Sequence, residues 1–235
     1  MSPAEGAEPK EAIARRAYAL AWSGGKDSTL ALHRARAQGL QVRWLFNIYE
    51  GASGRVRFHG VRSEWIQAQA RAIGIPLVQH HTHPDAFEPV FVRALDDLWK
   101  RGARGVLFGN VHLSDVRGWY EQHTYARGFE HREPLWGSSP ASLVREFLAA
   151  GYRAVVTAVD LSRAEATWVG RELDGDLLAE ICARGADPCG EFGEYHTFVF
   201  DGPLFARPVR FGLGARLERE GHLFVDLIDV PTANP

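Results

Sequence analysis

The sequence predicts an α/β fold: a doubly wound, five-stranded parallel sheet followed by a second, smaller α/β domain. Three observations carry that prediction. Five short apolar runs alternate with helix-period segments between residues 16 and 136, the rhythm of a parallel sheet with helices on both faces. The first run ends in a glycine pair that opens a helix. After Trp136-Gly137 the alternation lapses, and from Gly190 the chain turns rich in strand-forming residues.

Residues 18–22, Tyr-Ala-Leu-Ala-Trp, form the first predicted strand, stopped by Ser23-Gly24-Gly25. Asp27 or Ser28 is placed to cap a helix over 29–38, which Gly39 ends. A strand at 42–49 and a helix at 64–73 ended by Gly74 follow, and Pro76 opens a third strand at 77–80. Pro84 suits the first turn of a helix in which Phe87, Phe91, Leu95 and Leu98 recur at helical spacing up to Lys100. A fully apolar strand at 105–109, a helix at 114–127 and a strand at 131–136 complete the set. The second half reads as a helix at 143–150, a strand at 152–159, helix within 168–184 and strands at 195–200 and 208–211. A hairpin over 215–230 then turns at Glu220-Gly221. The expected organisation is a disordered tail at 1–15, a first domain at 16–136 and a second at 137–235.

Composition narrows the function. The 235 residues carry 27 basic and 29 acidic side chains, a net charge of −2, which argues against a general nucleic-acid-binding surface. No apolar run approaches the roughly 20 residues needed to cross a bilayer, and the polar N-terminus has no leader pattern. Cys182 and Cys189 are the two cysteines, too few for a disulfide framework. A soluble, cytoplasmic protein without membrane or direct nucleic-acid partners is expected. The seven tryptophans read as packing residues, since no basic stripe accompanies them. Lysine occurs at positions 10, 26 and 100 against 24 arginines, so Lys26 is a compact ammonium in a chain that otherwise favours guanidinium.

The strongest local signal is Ser23-Gly24-Gly25-Lys26-Asp27-Ser28. Two glycines after a strand let backbone N–H groups approach an anion, and the following helix adds its unpaired amides and dipole. Lys26 brings a positive charge, and Ser23 and Ser28 bring hydroxyl donors: the loop is a phosphate cradle. It has neither the Walker A spacing nor the dinucleotide Gly-x-Gly-x-x-Gly pattern. Asp27 within an anion site is costly on its own, and Mg²⁺ carried by a nucleotide resolves that cost.

This six-residue loop resembles the PP-loop of ATP pyrophosphatases, enzymes that cleave ATP between the α- and β-phosphates. Further segments, namely Phe58-His59-Gly60-Val61, Gln69-Ala70, 73–77, Glu133-Pro134-Leu135-Trp136-Gly137, Trp168-Val169-Gly170-Arg171 and 190–199, resemble the diphthine–ammonia ligase family across nearly all of 17–205. Two cysteines six residues apart inside are unlike the pairs of sulfur-inserting relatives that modify tRNA. Phe192 and His196 stand where that family usually has Gly and Glu, and Asn110 where Asp is expected; the departures at Phe192 and His196 bear on the second substrate.

The resemblance implies a HUP/PP-loop fold, an ATP-binding domain at 16–136 and an acceptor domain at 137–235. It implies an ATP- and Mg²⁺-dependent, AMP-forming ligase that adenylates a carboxylate and amidates it with ammonia. The acceptor is then diphthine on an elongation factor or, in a bacterium, an unidentified carboxylate. Ser23, Gly24, Gly25, Lys26, Asp27, Ser28 and His59 are the expected nucleotide-binding residues, with Asp27 as the metal-facing one. Lys26, Asp27, Glu191 and Glu194 are the catalytic candidates, the two glutamates being spaced to converge on one ligand. The alternative is a catalytically silent adenine-nucleotide sensor. Arg171 reads as an ion-pair residue, and His80, His81 and His83 as a polar strand end at the site rim rather than a metal centre.

Overall fold

The computed structural model describes residues 16–56, 58–83 and 85–230; the expected tail at 1–15 and Pro84 lie outside the described residues. The first half runs β1 (Ala17–Ala21), α1 (Lys26–Ala37), β2 (Gln41–Glu50), β3 (Arg55–Val56), α2 (Ser63–Ile73), β4 (Leu77–Thr82), α3 (Phe87–Lys100), β5 (Gly105–Leu107), α4 (Ser114–Tyr125) and β6 (Glu130–Arg132). Five of these strands form a parallel sheet in the order β4-β2-β1-β5-β6, and β3 adds an antiparallel return beside the end of β2. Strand order reverses about β1, which pairs with β2 on one side and β5 on the other. A ligand crevice belongs at the carboxyl ends of the strands beside that reversal.

Both faces of the sheet are covered. On one, Leu30, Ala31 and Ala35 of α1 pack with Trp65, Ile66, Ala70 and Ile73 of α2. On the other, Phe91, Ala94, Leu95 and Leu98 of α3 bury against Phe46, Val106 and Phe108. Their 3–4 spacing is the apolar stripe visible in the sequence, and each leucine or phenylalanine in it contributes about 1.5–3 kcal/mol by leaving water.

The second half comprises α5 (Pro140–Ala149), β7 (Arg153–Asp160), a 3₁₀ turn (Ala166–Trp168), α6 (Gly175–Arg184), β8 (Tyr195–Asp201), β9 (Gly212–Arg219) and β10 (His222–Ile228). Its four strands form an antiparallel sheet in the order β8-β7-β10-β9. The β9–β10 hairpin turns at Glu220 and Gly221, both with positive φ, as a two-residue turn with matching twist requires. The core is continuous between the halves, with α1, α2, α5, α6 and the inner face of the second sheet in one apolar cluster. Asp226 of β10 also pairs with Arg55 at 2.9 Å and with Arg62, and the Trp65 indole donates to Leu227 O at 3.1 Å.

Three local expectations need correction, and one short strand is new. Gly25 occupies the cap position of α1, and its helix has no side-chain cap. Asp27 and Ser28 therefore lie inside the first turn, with the Ser28 hydroxyl donating back to Gly25 O at 3.0 Å. Strand β6 stops at Arg132 instead of reaching 136, since Pro134 has no N–H for a ladder. Residues 208–211 form no strand: Pro208 again offers no donor, and Val209 N–H makes one bond to Phe200 O, 2.8 Å. The short β3 went unanticipated because two residues carry no periodicity.

Candidate functional site

The six-residue loop between β1 and α1 sits at the strand-order reversal, and both halves of the chain build it. Gly24 has φ +81, and a Cβ there would lie 2.5 Å from Gln69 Oε1, so only glycine fits. Gln69 projects from α2 to accept from the Trp22 indole (3.0 Å) and to donate to Gly24 O (2.9 Å) and Val199 O (2.6 Å). From the second sheet, Val199 N–H donates to Gly24 O at 2.9 Å, and the Thr197 hydroxyl accepts the Lys26 N–H at 3.1 Å. Gly109, after β5, lets the sheet approach the start of α1, for a Cβ there would meet Asp27 and Ser28 backbone at 3.0 Å.

The loop opens onto a cavity of about 500 Å³, within the size range of small-molecule sites. One end is polar, lined by Ser23, Lys26, Asp27, Ser28, His59, Glu191 and His196; the other is apolar, lined by Phe46, Ile48, Phe87, Phe91, Phe108 and Tyr120. That division suits a ligand with a flat apolar moiety and an anionic tail.

Lys26 is 3% exposed. Its ammonium donates to Asp27 Oδ2 at 2.9 Å and to the carbonyl of Cys189, and lies 4.6 Å from the centre of the Tyr195 ring. Burial, the largest single influence, would discharge it, but the charge and hydrogen bond of Asp27 act together with Tyr195 and Cys189 to raise its pKa, keeping it charged. Glu191 is half-buried beside the loop, and burial together with the Asp27 charge pushes its carboxyl upward, opposed by a hydrogen bond from Val111 N–H at 3.0 Å.

The two glutamates do not converge. Glu194 is buried and off the cavity wall; its oxygens accept from the backbone N–H groups of Asp187 (3.0 Å) and Phe192 (3.1 Å). It shapes the turn that presents the Cys189 carbonyl and Glu191. The glycine between the glutamates, Gly193 at φ +86, aims them apart.

His59 packs on the loop and donates from Nδ1 to Thr197 O at 3.3 Å, with the His196 ring 4.6 Å away. His80, His81 and His83 are not among the residues that line the cavity. His80 faces Asp97 and His81 meets Tyr49. Arg171 pairs with Glu180 at 2.7 Å. Cys182 is exposed and Cys189 buried, both as free thiols.

Sequence reading missed the roles of Gln69, Asn47 and Asn110. Gln69 interrupts the apolar stripe of α2, and Asn47 interrupts the run Leu45-Phe46-Asn47-Ile48; a polar residue in such a place needs a built partner. Asn47 donates to Trp22 O at 2.9 Å. Asn110 lines the cavity and donates to Glu133 Oε1 at 2.7 Å.

No helix of the described residues is long and apolar enough to cross a membrane, and no three His, Cys, Asp or Glu side chains among them converge as a metal site. A divalent ion here would depend on oxygens from its ligand and water. Asp27 and Glu191 fit such an ion, because the like-charge strain between them is what a cation relieves.

Two family models together match most of the chain: Diphthamide synthase N-terminal domain over residues 16–130 and Diphthamide synthase C-terminal domain over 139–228. A diphthine–ammonia ligase of Mus musculus is 26% identical over 212 residues, covering 80% of this chain and 79% of its own. One from Rattus norvegicus is 27% identical over 214 residues with the same coverages. Among solved structures, a predicted subunit of tRNA methyltransferase from Methanocaldococcus jannaschii aligns at 14% identity with a TM-score of 0.37, covering 74% of this chain and 90% of that one.

Proposed function

The chain belongs to the diphthine–ammonia ligase family, and on that premise we propose that it is an ATP-dependent, AMP-forming ligase that converts a carboxylate to an amide with ammonia. The observation that carries this reading is the charged, buried Lys26 beside the glycine loop at the polar end of a cavity whose other end is aromatic. We assign 16–136 as the ATP-binding domain and 137–235 as the acceptor domain, with the second also completing the phosphate loop through Thr197 and the Cys189 carbonyl.

Hydroxide is a poor leaving group, so a carboxylate must be activated before ammonia can displace anything from it. The carboxylate oxygen attacks the α-phosphorus of ATP, the α–β P–O bond breaks, and its electrons leave with pyrophosphate. Ammonia then attacks the acyl carbon, the C–O bond to AMP breaks, and the nitrogen sheds a proton. The loop amides, the Ser23 and Ser28 hydroxyls and Lys26 hold the leaving pyrophosphate and neutralise its growing charge. The aromatic end of the cavity takes the adenine. Asp27 and Glu191 would hold Mg²⁺, which would supply charge neutralisation to the phosphates.

The acceptor is a carboxylate reached from the side of Glu191 and His196, either diphthine on an elongation factor or another carboxylate. Two free thiols suit a cytoplasmic, reducing setting. The test incubates the protein with ATP labelled at the α-phosphate, Mg²⁺, ammonium and fractions of acceptor-containing lysate. AMP that depends on both the fraction and Lys26 supports the ligase; ADP overturns the assignment of the cleaved bond. Tight ATP binding with no turnover on any fraction, diphthine-bearing factor included, replaces it with a nucleotide sensor.

A further inference from the structure

We propose that His59 and His196 form a proton-linked extension of the phosphate loop, gaining a shared proton when the polyphosphate of the nucleotide seats against Gly25. The inference rests on the reading of this cavity as an ATP site and adds a second anion subsite to it.

His59 packs directly on the loop: a Cβ on Gly25 would fall 2.9 Å from His59 Cε1. The two imidazoles lie 4.6 Å apart at 44°, and both line the polar end of the cavity. His59 Nδ1 carries its hydrogen toward Thr197 O at 3.3 Å, which leaves Nε2 as a bare lone pair in the neutral ring. A phosphate oxygen also presents lone pairs. The contact between them becomes attractive only when Nε2 bears a proton.

In the free chain that proton is absent at neutral pH. Burial and the Lys26 charge push His59 down to about 4, with the Thr197 carbonyl opposing them. Burial, His59, Lys26 and His222 hold His196 well below its ordinary value. The charges that hold the pair neutral are Lys26 at the start of α1, His222 at the start of β10, and each other; Asp27 and Glu191 line the same end of the cavity, Asp27 already paired with Lys26. A triphosphate reverses that field by bringing several negative charges against the loop. One imidazolium is then favoured, and the short separation of the rings disfavours a second. The added charge lies where pyrophosphate accumulates charge as the α–β bond opens.

The experiment uses the full chain with ¹⁵N-labelled histidine. Imidazole nitrogen shifts are recorded at pH 7, free and with Mg²⁺ plus inorganic pyrophosphate or α,β-methylene-ATP, which resists α–β cleavage. The free protein should show both rings neutral, His59 as its Nδ1–H tautomer, and the complex should show imidazolium shifts in the pair. Calorimetry of α,β-methylene-ATP binding in buffers of different ionisation heat should report uptake of roughly half to one proton. His59→Gln and His196→Asn should each lower that uptake, the nucleotide's own titration cancelling between variant and wild type. Binding without imidazolium formation, or uptake unchanged in both variants, overturns the subsite and leaves the ATP site standing. Failure of both ligands to bind overturns the two together.

Discussion

The ammonium of Lys26 donates to the main-chain carbonyl of Cys189, 163 residues further along the chain. A charge in the first sheet's glycine loop is thereby fixed by a turn that belongs to the second half. Lys26→Met keeps the bulk of the stem but leaves Asp27 and that carbonyl without their partner. ATP-dependent AMP release should fall on the order of 100-fold, the scale of losing one preorganised transition-state donor. Lys26→Arg should not rescue it, since a planar guanidinium cannot occupy a pocket built for a compact ammonium. Single-turnover AMP release checks both.

Glu191 and Glu194 should separate in experiment. Glu191→Gln removes a carboxylate from the cavity wall and should cut turnover while moving the unfolding free energy by less than about 0.5 kcal/mol. Glu194→Gln weakens the acceptance of two backbone N–H groups and should destabilise by about 1–3 kcal/mol. Urea midpoints and AMP release on the same two preparations decide the matter.

Gln69→Leu takes away an acceptor from the buried Trp22 indole and a donor from Gly24 O and Val199 O. A loss of about 3 kcal/mol is expected for the stranded groups, together with weaker nucleotide binding because Gly24 keeps the Val199 N–H but loses its tie to α2. Denaturation and ATP-analogue titration read the two effects separately.

Two glycine-to-alanine changes should act in opposite directions. At Gly109 the new methyl would press on Asp27 and Ser28 backbone, so nucleotide affinity should drop. At Gly118, within α4 and with nothing within 4 Å, alanine should stabilise by about 0.5–1 kcal/mol and leave affinity alone. Thermal unfolding with and without nucleotide tests the contrast.

Acid should loosen the seam between the sheets. Burial alone would raise the Asp226 carboxyl, yet hydrogen bonds from Arg55 and Arg62 hold it below its ordinary value. A folded-state pKa below the unfolded one, near 3.9, gives stabilisation that is complete above the unfolded value. It is lost as pH falls through the folded one. Asp226→Asn should remove that dependence and cost about 1 kcal/mol at pH 7, a modest figure because Arg62 is largely in water. Urea midpoints between pH 3 and 7 give the slope.

Much of the architecture was legible because it is periodic. The run at 42–49 and the stripe Phe91, Leu95, Leu98 are local patterns that became the expected elements, and the run at 105–109 became a strand over its first three residues. The loop at 23–28 was legible for a different reason: glycine pair, lysine and serines specify one local chemistry. What could not be read was long-range. Nothing in the neighbourhood of Glu194 shows that its oxygens will face Asp187 and Phe192 amides, because Gly193 sets that direction through a backbone angle. Nor does Gln69 announce that it will reach Gly24 and Val199 at once, since that requires α2 and β8 to flank the same loop.

The Lys26 N–H rests on the Thr197 hydroxyl, 171 positions later. During synthesis the glycine loop leaves the ribosome first and waits for most of the chain before its brace emerges. A nascent chain therefore displays the motif long before it owns the site. If the cavity is a nucleotide site, it is completed only after Thr197 has been made.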